Sequence, residues 1–358
     1  MIVLGIDTSC DDSSVALVSD GQIIHSNIIA SQHGFHEKYG GIVPTVASRR
    51  HCMVINPLIE MALTEAKISL DQVDAVAVSS DQGLAPSLAV GVSAAKALAM
   101  AIKRPLVGIH HVEGHIYSNV MAHPEMLRYP FLCATVAGGH TLLILAHAFG
   151  DYELLGTCRD DSAGEAYDKV ARRLGLGYPG GPIIDELAKN GDPEAFAFPR
   201  PLIDSESLEF SFSGLKTSVN RTIEQFESRD DTIPINDLAA SFQKAVIDVI
   251  VAKTMKAVAQ TGVENVAIAG GVAANSLLKD CLTIEAQRAE IQLFIPPLEL
   301  CIDNGAMVAG VGFHYLQQGV SSELDLDYRA NAPLGIRALK YRALGKYRDK
   351  TPSQFLPI

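Results

Sequence analysis

Ile2-Val3-Leu4-Gly5-Ile6-Asp7-Thr8-Ser9-Cys10-Asp11-Asp12-Ser13-Ser14-Val15-Ala16-Leu17-Val18-Ser19-Asp20-Gly21 sets the pattern of the whole chain. An apolar run, 2–7, ends in a polar turn crowded with Thr, Ser and Asp. A second run, Ser14 to Val18, ends in the turn Ser19-Asp20-Gly21, and a third covers Gln22 to Ile29. Short apolar runs separated by tight polar turns read as an antiparallel meander of three strands. Small hydroxyls, free backbone N–H groups and a carboxylate at a strand end serve as a plain turn, and they also suit a phosphate or metal group.

The same pattern returns later. Phe131 to Ala137 is a strand ending in Gly138-Gly139-His140-Thr141. Leu142 to Ala146 and Tyr152 to Thr157 follow as second and third strands. A repeated unit of this size implies two lobes of one design. After each meander, strands alternate with helical patterns. Val73 to Val78, Leu106 to Ile109, Asn265 to Ala269 and Glu290 to Ile295 read as strands. Ser87 to Ile102, Ala163 to Leu174, Ile183 to Lys189, Ile235 to Gln260 and Ala306 to Gln317 read as helices. The fold class is therefore α/β, with duplicated mixed-sheet domains. The lobes are expected at 1–129, with 306–358 returning to it, and at 130–305. Val46 to Ala66 is helical but interrupted by Pro57, which kinks it or marks a restart. His33 to Gly41 reads as loop. Residues 190–235 are the least regular part, and the C-terminal tail is basic and irregular.

The glycine turns carry the chemistry. Ala269 leads into Gly270-Gly271-Val272-Ala273-Ala274-Asn275 and then a helix, an arrangement that admits an anion to the backbone and the helix N-terminus. Ligands of open α/β sheets bind at the carboxyl ends of strands. The turns after Ile6, Ile109, Ala137 and Ala269 should therefore converge on one cleft. Beside it, Gly108-Ile109-His110-His111-Val112-Glu113-Gly114-His115 opens a helical segment. On a helix, His111 and His115 stand one turn apart on one face, a spacing that serves packing and also binds metal. The H-E-x-x-H protease motif fails, because Val112 holds the place of its general base and Glu113 points to the far side. A third ligand has to come from elsewhere.

Composition sets outer bounds. The chain has 358 residues, 48% of them hydrophobic and 20% charged, with no tryptophan, which is ample for a sizeable core. A formal net charge of −12 argues against gripping nucleic acid alone over a broad basic surface. Arg49, Arg50, Lys169, Arg172, Arg173, Lys216 and Arg221 remain as candidate phosphate contacts. Six scattered cysteines without a C-x-x-C pair read as reduced, buried thiols. No apolar run reaches the roughly 18–20 residues of a bilayer span. The N-terminus lacks a basic n-region, so a cytoplasmic location without membrane attachment is expected.

These stretches, taken together, resemble the threonylcarbamoyl-transferase subunit of the tRNA t6A pathway, the TsaD type once labelled a glycoprotease. The resemblance runs end to end. It rests on Gly5 to Asp11, His110 to His115, Gly138 to Thr141, Asp161 to Asp168, Tyr178-Pro179-Gly180-Gly181-Pro182, Ser211 to Thr217, Ala269 to Asn275 and Cys301-Ile302-Asp303-Asn304. It implies the two-lobed actin/Hsp70/sugar-kinase-like (ASKHA) fold. It implies a metal held by His111, His115 and Asp303, one Fe(II) per subunit with zinc as the alternative. It implies that Thr135, Val136, Ala137, Gly138, Gly139, Asp168, Gly181, Asp185 and Asn275 hold threonylcarbamoyl-AMP. The implied reaction moves the threonylcarbamoyl group to N6 of adenosine 37 in tRNAs that read ANN codons. Asp11 is the candidate base for the amine proton, or else a cap of the first turn. Implied partners are tRNA, a TsaB-like paralogue and a TsaE-like ATPase. Four residues at three places depart from the family pattern: Asp81-Gln82-Gly83-Leu84 stands for Gly-Pro-Gly-Leu, Ala137 for Ser, and Asp12 for Glu. The competing readings are a metallopeptidase, a non-catalytic actin-like platform and a sugar kinase.

Overall fold

The structure is a computed structural model that describes residues 1–334. The part of the expected C-terminal return at 335–358, including the basic tail, lies outside the described residues. Among the described residues ten strands form two sheets: β1 Ile2–Asp7, β2 Ser13–Ser19, β3 Ile23–Ala30, β4 Ala75–Asp81, β5 Leu106–His110, β6 Phe131–Val136, β7 Thr141–Ala148, β8 Asp151–Thr157, β9 Asn265–Ala269 and β10 Gln292–Phe294. The helices are α1 His33–His36, α2 Pro44–Ala66, α3 Ala85–Ile102, α4 His111–Ala122, α5 Ala163–Arg173, α6 Gly180–Ala188, α7 Ser213–Ser228, α8 Ile235–Thr261, α9 Ser276–Arg288, α10 Leu298–Cys301 and α11 Gly305–Gln317.

The two sheets repeat one topology. The first has the order β3-β2-β1-β4-β5 and the second β8-β7-β6-β9-β10. In each, the first strand pairs antiparallel with the second and parallel with the fourth, so β1 matches β6 and β4 matches β9. Strand alternation divides the cores. Val3 faces one core with α11, while Leu4 and Ile6 face another with α2 and α3. Likewise Leu132, Ala134 and Val136 face α5 to α9, while Phe131 and Cys133 face the inter-lobe side.

Helix α4 joins the lobes. Its Tyr117 and Met121 pack in the core of the first sheet, and its Val112 and Ile116 pack against the second. A helix buried on nearly every side is held in one place, and this one carries the histidine pair. Helix α11 returns to the first sheet at van der Waals limit. A Cβ on Gly5 would lie 2.2 Å from Gly305 O, and one on Gly305 would lie 2.6 Å from Ala16 N. That contact fixes the α11 N-terminus, capped by Asn304 on the Met307 N–H at 2.9 Å, against β1 and β2. It delivers Asp303 to the carboxyl end of β1.

Several expectations are corrected. Residues 33–39 are not loop but the short helix α1 and a 3-10 turn, pieces too short to show periodicity. Helix α2 runs through Pro57 without a restart, because Pro57 lies on the solvent face where the carbonyl it leaves unbonded meets water. Residues 213–228 form α7, with Leu215, Val219 and Ile223 buried one turn apart. Of the cysteines, only Cys133 and Cys301 are buried and Cys52 is exposed; all six are free. Helix α3 does meet the length and apolarity of a membrane span, with 18 residues at a hydropathy of 1.5. Here its Leu88, Val92, Ala95 and Ala99 pack in the first lobe.

Candidate functional site

β5 runs directly into α4, so His110 ends a strand and His111 begins the helix. The rings of His111 and His115 stand 4.6 Å apart at 80°. Both Nε2 atoms face one oxygen: Asp303 Oδ1 lies 3.4 Å from His111 Nε2 and 3.1 Å from His115 Nε2. Asp7, fully buried at the end of β1, holds the other nitrogen of His111, with Oδ2 3.1 Å from Nδ1. Its Oδ1 accepts the Ser9 N–H at 2.8 Å. This is a histidine oriented by a carboxylate behind it, as metal-ligating histidines are. His115 is buried, and its Nε2 meets Asp303 Oδ1 without the alignment of a hydrogen bond, so among the described residues it lacks a true hydrogen-bond partner. An orphaned ring nitrogen aimed at a carboxylate, in a set of two imidazoles and one acid, fits a divalent first-row cation.

The electrostatics agree. Burial pushes the His111 ring toward neutrality, but the charges of Asp303 and then Asp7 outweigh it and raise it to about 10. Burial works against the charged Asp303, yet His111 and His115 hold it well below the usual carboxylate range. Metal-free, the trio keeps a proton that a cation would displace. Glu113 plays no part. It faces away, receives the Tyr315 hydroxyl on both oxygens at 2.6 and 2.5 Å, and is pushed up to about 7 by burial.

The turns converge as expected. Ser9 Oγ lies 3.5 Å from Asp303 Oδ2. Gln82, after β4, reaches across to His140, after β6, at 2.6 Å between Nε2 atoms. A Cβ on Gly270 would meet Val136 O at 2.4 Å, so the turns after β6 and β9 touch. By contrast, Gly138, Gly139, Gly181 and Gly271 face open space, with nothing within 4 Å of an added Cβ. These are the backbone surfaces that a ligand can approach.

The remaining site candidates fall into three kinds. Thr135 and Val136 are buried within β6 and Ala137 nearly so, leaving mainly their backbone for a ligand. Asp168 accepts the Gly180 N–H at 2.8 Å and is pushed up to about 6, chiefly by burial. Asp185 and Asn275 are bound to each other at 3.1 Å. Asp185 also takes Gln243 Nε2 at 3.0 Å, the Ser276 hydroxyl at 2.8 Å and the Ser276 N–H at 3.2 Å. Asn275 further donates to Gln243 Oε1 at 2.8 Å and caps α9 through Leu278 N at 3.0 Å. Asp11, on the first turn, receives the hydroxyl of Tyr178 from the other lobe on Oδ2 at 3.1 Å.

Of the candidate phosphate contacts, Lys169 and Lys216 both pair with Asp161, Arg173 pairs with Glu227, and Arg50 stacks on Phe35. Arg172 lies against Gly40, and Arg49 and Arg221 are exposed. Asp7, Tyr178, Gln82 and His140 lie in stretches singled out in the sequence without a site role of their own, and Gln243 carries no signal there. For Asp7 a signal existed, since it ends β1 at the head of the polar turn.

Comparison with known proteins gives a consistent picture. A family described as "TsaD: tRNA N6-adenosine threonylcarbamoyltransferase" matches residues 23–310. A protein of that name from Thermosipho africanus is 47% identical over 91% of this chain and 98% of its own length. One from Clostridium botulinum is 46% identical over 94% of this chain and 98% of its own, and one from Caldicellulosiruptor saccharolyticus 47% over 93% and 97%. Among solved structures, HypF of T. kodakarensis aligns with TM-score 0.59 at 15% identity, over 88% of this chain and 48% of that one. Component A of the Acidaminococcus fermentans (R)-2-hydroxyglutaryl-CoA dehydratase aligns with TM-score 0.51 at 14% identity, over 89% and 98%. These two likenesses are of fold, the two-lobed actin-like architecture.

Proposed function

Because the chain belongs to the TsaD family of tRNA N6-adenosine threonylcarbamoyltransferases, and so forms t6A in tRNA, we propose how its two lobes share the reaction. The donor is threonylcarbamoyl-AMP, lying along the open glycines 138, 139 and 181. The acceptor is N6 of adenosine 37 in tRNAs that read ANN codons. A bond forms between N6 and the carbamoyl carbon, the anhydride C–O bond breaks, and AMP leaves with the electron pair.

The exocyclic amine is a poor nucleophile, since its lone pair is delocalised into the ring. Positioning and proton removal must therefore supply much of the rate. Asp11 is the proposed acceptor of the N6 proton, held by Tyr178 from across the cleft. The backbone at Gly138, Gly139 and Gly181 lets N–H groups approach the donor's oxygens without a side chain intervening. His111, His115 and Asp303 would hold one Fe(II), with zinc as the alternative. Such a cation supplies positive charge for oxygens of the carbamoyl or phosphate group. The observation that carries this reading is the meeting of His111, His115 and Asp303 at the mouth of the glycine-lined cleft.

A protein of net charge −12 needs help to hold tRNA. The proposed helpers are a TsaB-like paralogue and a TsaE-like ATPase, acting in the cytoplasm. For the paralogue, the adjoining helices α2 and α3 offer Met53, Met61 and Met100, which are 65%, 54% and 64% exposed. Exposed apolar residues on neighbouring helices suit a protein contact. Loss of co-purification on Met53→Glu with Met61→Glu would support that assignment.

The test is direct. Protein, partners, tRNA and threonylcarbamoyl-AMP are incubated and the nucleosides analysed. Modified adenosine is expected, with none from Asp303→Ala. No product where a related enzyme works would overturn the proposal. The peptidase alternative predicts casein cleavage that His111→Ala abolishes; none is expected, as Glu113 is engaged by Tyr315.

A further inference from the structure

We infer a second divalent-cation site in the cleft, formed by Asp11, Asp12 and His33 and separate from the His111–His115–Asp303 centre. Each of the three residues offers a ligand atom, and these atoms all lie within 4.8 Å of one another. The meander builds the cluster. Asp11 and Asp12 lie on the turn between β1 and β2, and His33 follows β3, whose end pairs beside the start of β2 through Ser13 and Ala30. The His33 ring is set edge-on to Tyr178, with centroids 5.7 Å apart at 85°.

A second observation points to a ligand. Asp12 is 9% exposed, and its Oδ1 is buried with no hydrogen-bond partner among the described residues. Buried carboxylate oxygens are ordinarily satisfied, because an unmet one bears its desolvation penalty in full. Burial, then the charges of Asp11 and Asp303, push Asp12 up to about 7, with Ser31 and the Gln32 backbone offsetting part of this. The group thus lies among like charges, and among the described residues no cation offsets them. Lys169 and Lys216 are committed elsewhere, at 2.6 and 2.5 Å from Asp161. Two carboxylates and one imidazole suit Mn(II), Fe(II) or Zn(II), and a small side-chain adjustment brings all three onto one ion.

A filled site draws on the Asp11 carboxylate. Cation binding and proton acceptance by Asp11 then exclude one another, so excess divalent cation should slow the transfer. That consequence rests on the transferase reading; the binding measurement does not.

The experiment titrates the chelator-stripped full chain with Mn(II) near neutral pH, counting bound ions by equilibrium dialysis and EPR. Two ions per chain are expected in the wild type. Asp12→Asn and His33→Ala should each weaken the second ion at least tenfold, leaving the first. Asp303→Ala should weaken the other ion and spare this one. His33 is half-exposed, so its variant keeps the fold even if Asp12→Asn does not, and melting curves check both. A single ion in the wild type would overturn the inference, as would a second ion that both Asp12→Asn and His33→Ala leave undiminished.

Discussion

Asp7→Asn tests the proposed metal centre through a residue that would touch no metal. Asp7 is fully buried between two donors: the Ser9 N–H at 2.8 Å on Oδ1, and His111 Nδ1 at 3.1 Å on Oδ2. Metal-free, the His111 ring is raised to about 10 and carries a proton on each nitrogen; with Nε2 given to a cation, Nδ1 would keep its proton toward Asp7. A carboxylate accepts from both donors. Asparagine has the same shape but one acceptor and one donor group, so one of the two bonds is lost and a donor faces a donor. In the metal-free protein that should cost about 1–3 kcal/mol of stability. Loss of a carboxylate behind a ligating histidine should weaken the metal by roughly 10–100-fold, or about 1.4–2.7 kcal/mol. The assay is competition between the stripped protein and a chromophoric chelator for Zn(II), with circular dichroism to confirm the fold. A dissociation constant within twofold of wild type, in a folded variant, would refute the reasoning. His111 would then be oriented by its helix alone.

Three further outcomes follow from the geometry. Gly5→Ala drives a Cβ to 2.2 Å from Gly305 O and 2.6 Å from Ala309 N, both backbone atoms; urea melts should show a loss of about 3 kcal/mol or more. Gln82 has φ +68 and donates its N–H to Arg329 O at 2.8 Å, so Gln82→Pro forbids both and should lower the melting temperature by the equivalent of about 3 kcal/mol. Asp12 sits at about 7 in the fold against an ordinary value near 4, so the fold favours its neutral form. Metal-free stability should then fall as pH rises through that window. Asp12→Asn, always neutral, should gain on the order of 2 kcal/mol over wild type at pH 8 and little at pH 4, read from chemical denaturation.

The sequence disclosed what is periodic and local. Both meanders were legible because apolar runs of strand length alternate with Ser, Asp and Gly turns. His111 and His115 were legible as one helix face. Asp303 came only through family likeness, since nothing local links the start of α11 to α4. What makes that link is the tight fit of Gly5 on Gly305. Helix α7 had its signal in Leu215, Val219 and Ile223, but the surrounding Pro, Ser and Phe masked it. The role of Asp7 was hidden because its partner lies on another element. Lys253 shows the same limit: it reads as the polar face of α8, yet it is buried and donates to Ser207 O at 2.6 Å and Ser205 Oγ at 2.9 Å. The left-handed backbone at Gln82 has no local sequence signal, and only φ reveals it.

The far end of the chain finishes the cleft rim. Arg329 donates its N–H to Ser80 O at 2.8 Å and pairs with Asp81 at 2.7 Å, Gly83 N–H reaches Ala330 O at 3.0 Å, and His110 Nε2 meets Ala332 O at 3.0 Å. During synthesis the first meander and the histidine helix leave the ribosome long before these residues, and before Asp303. A nascent or prematurely ended chain therefore has two rings without their acid and a loop without its brace. A cation at the proposed site should therefore be held tightly only after Asp303 has emerged, late in synthesis.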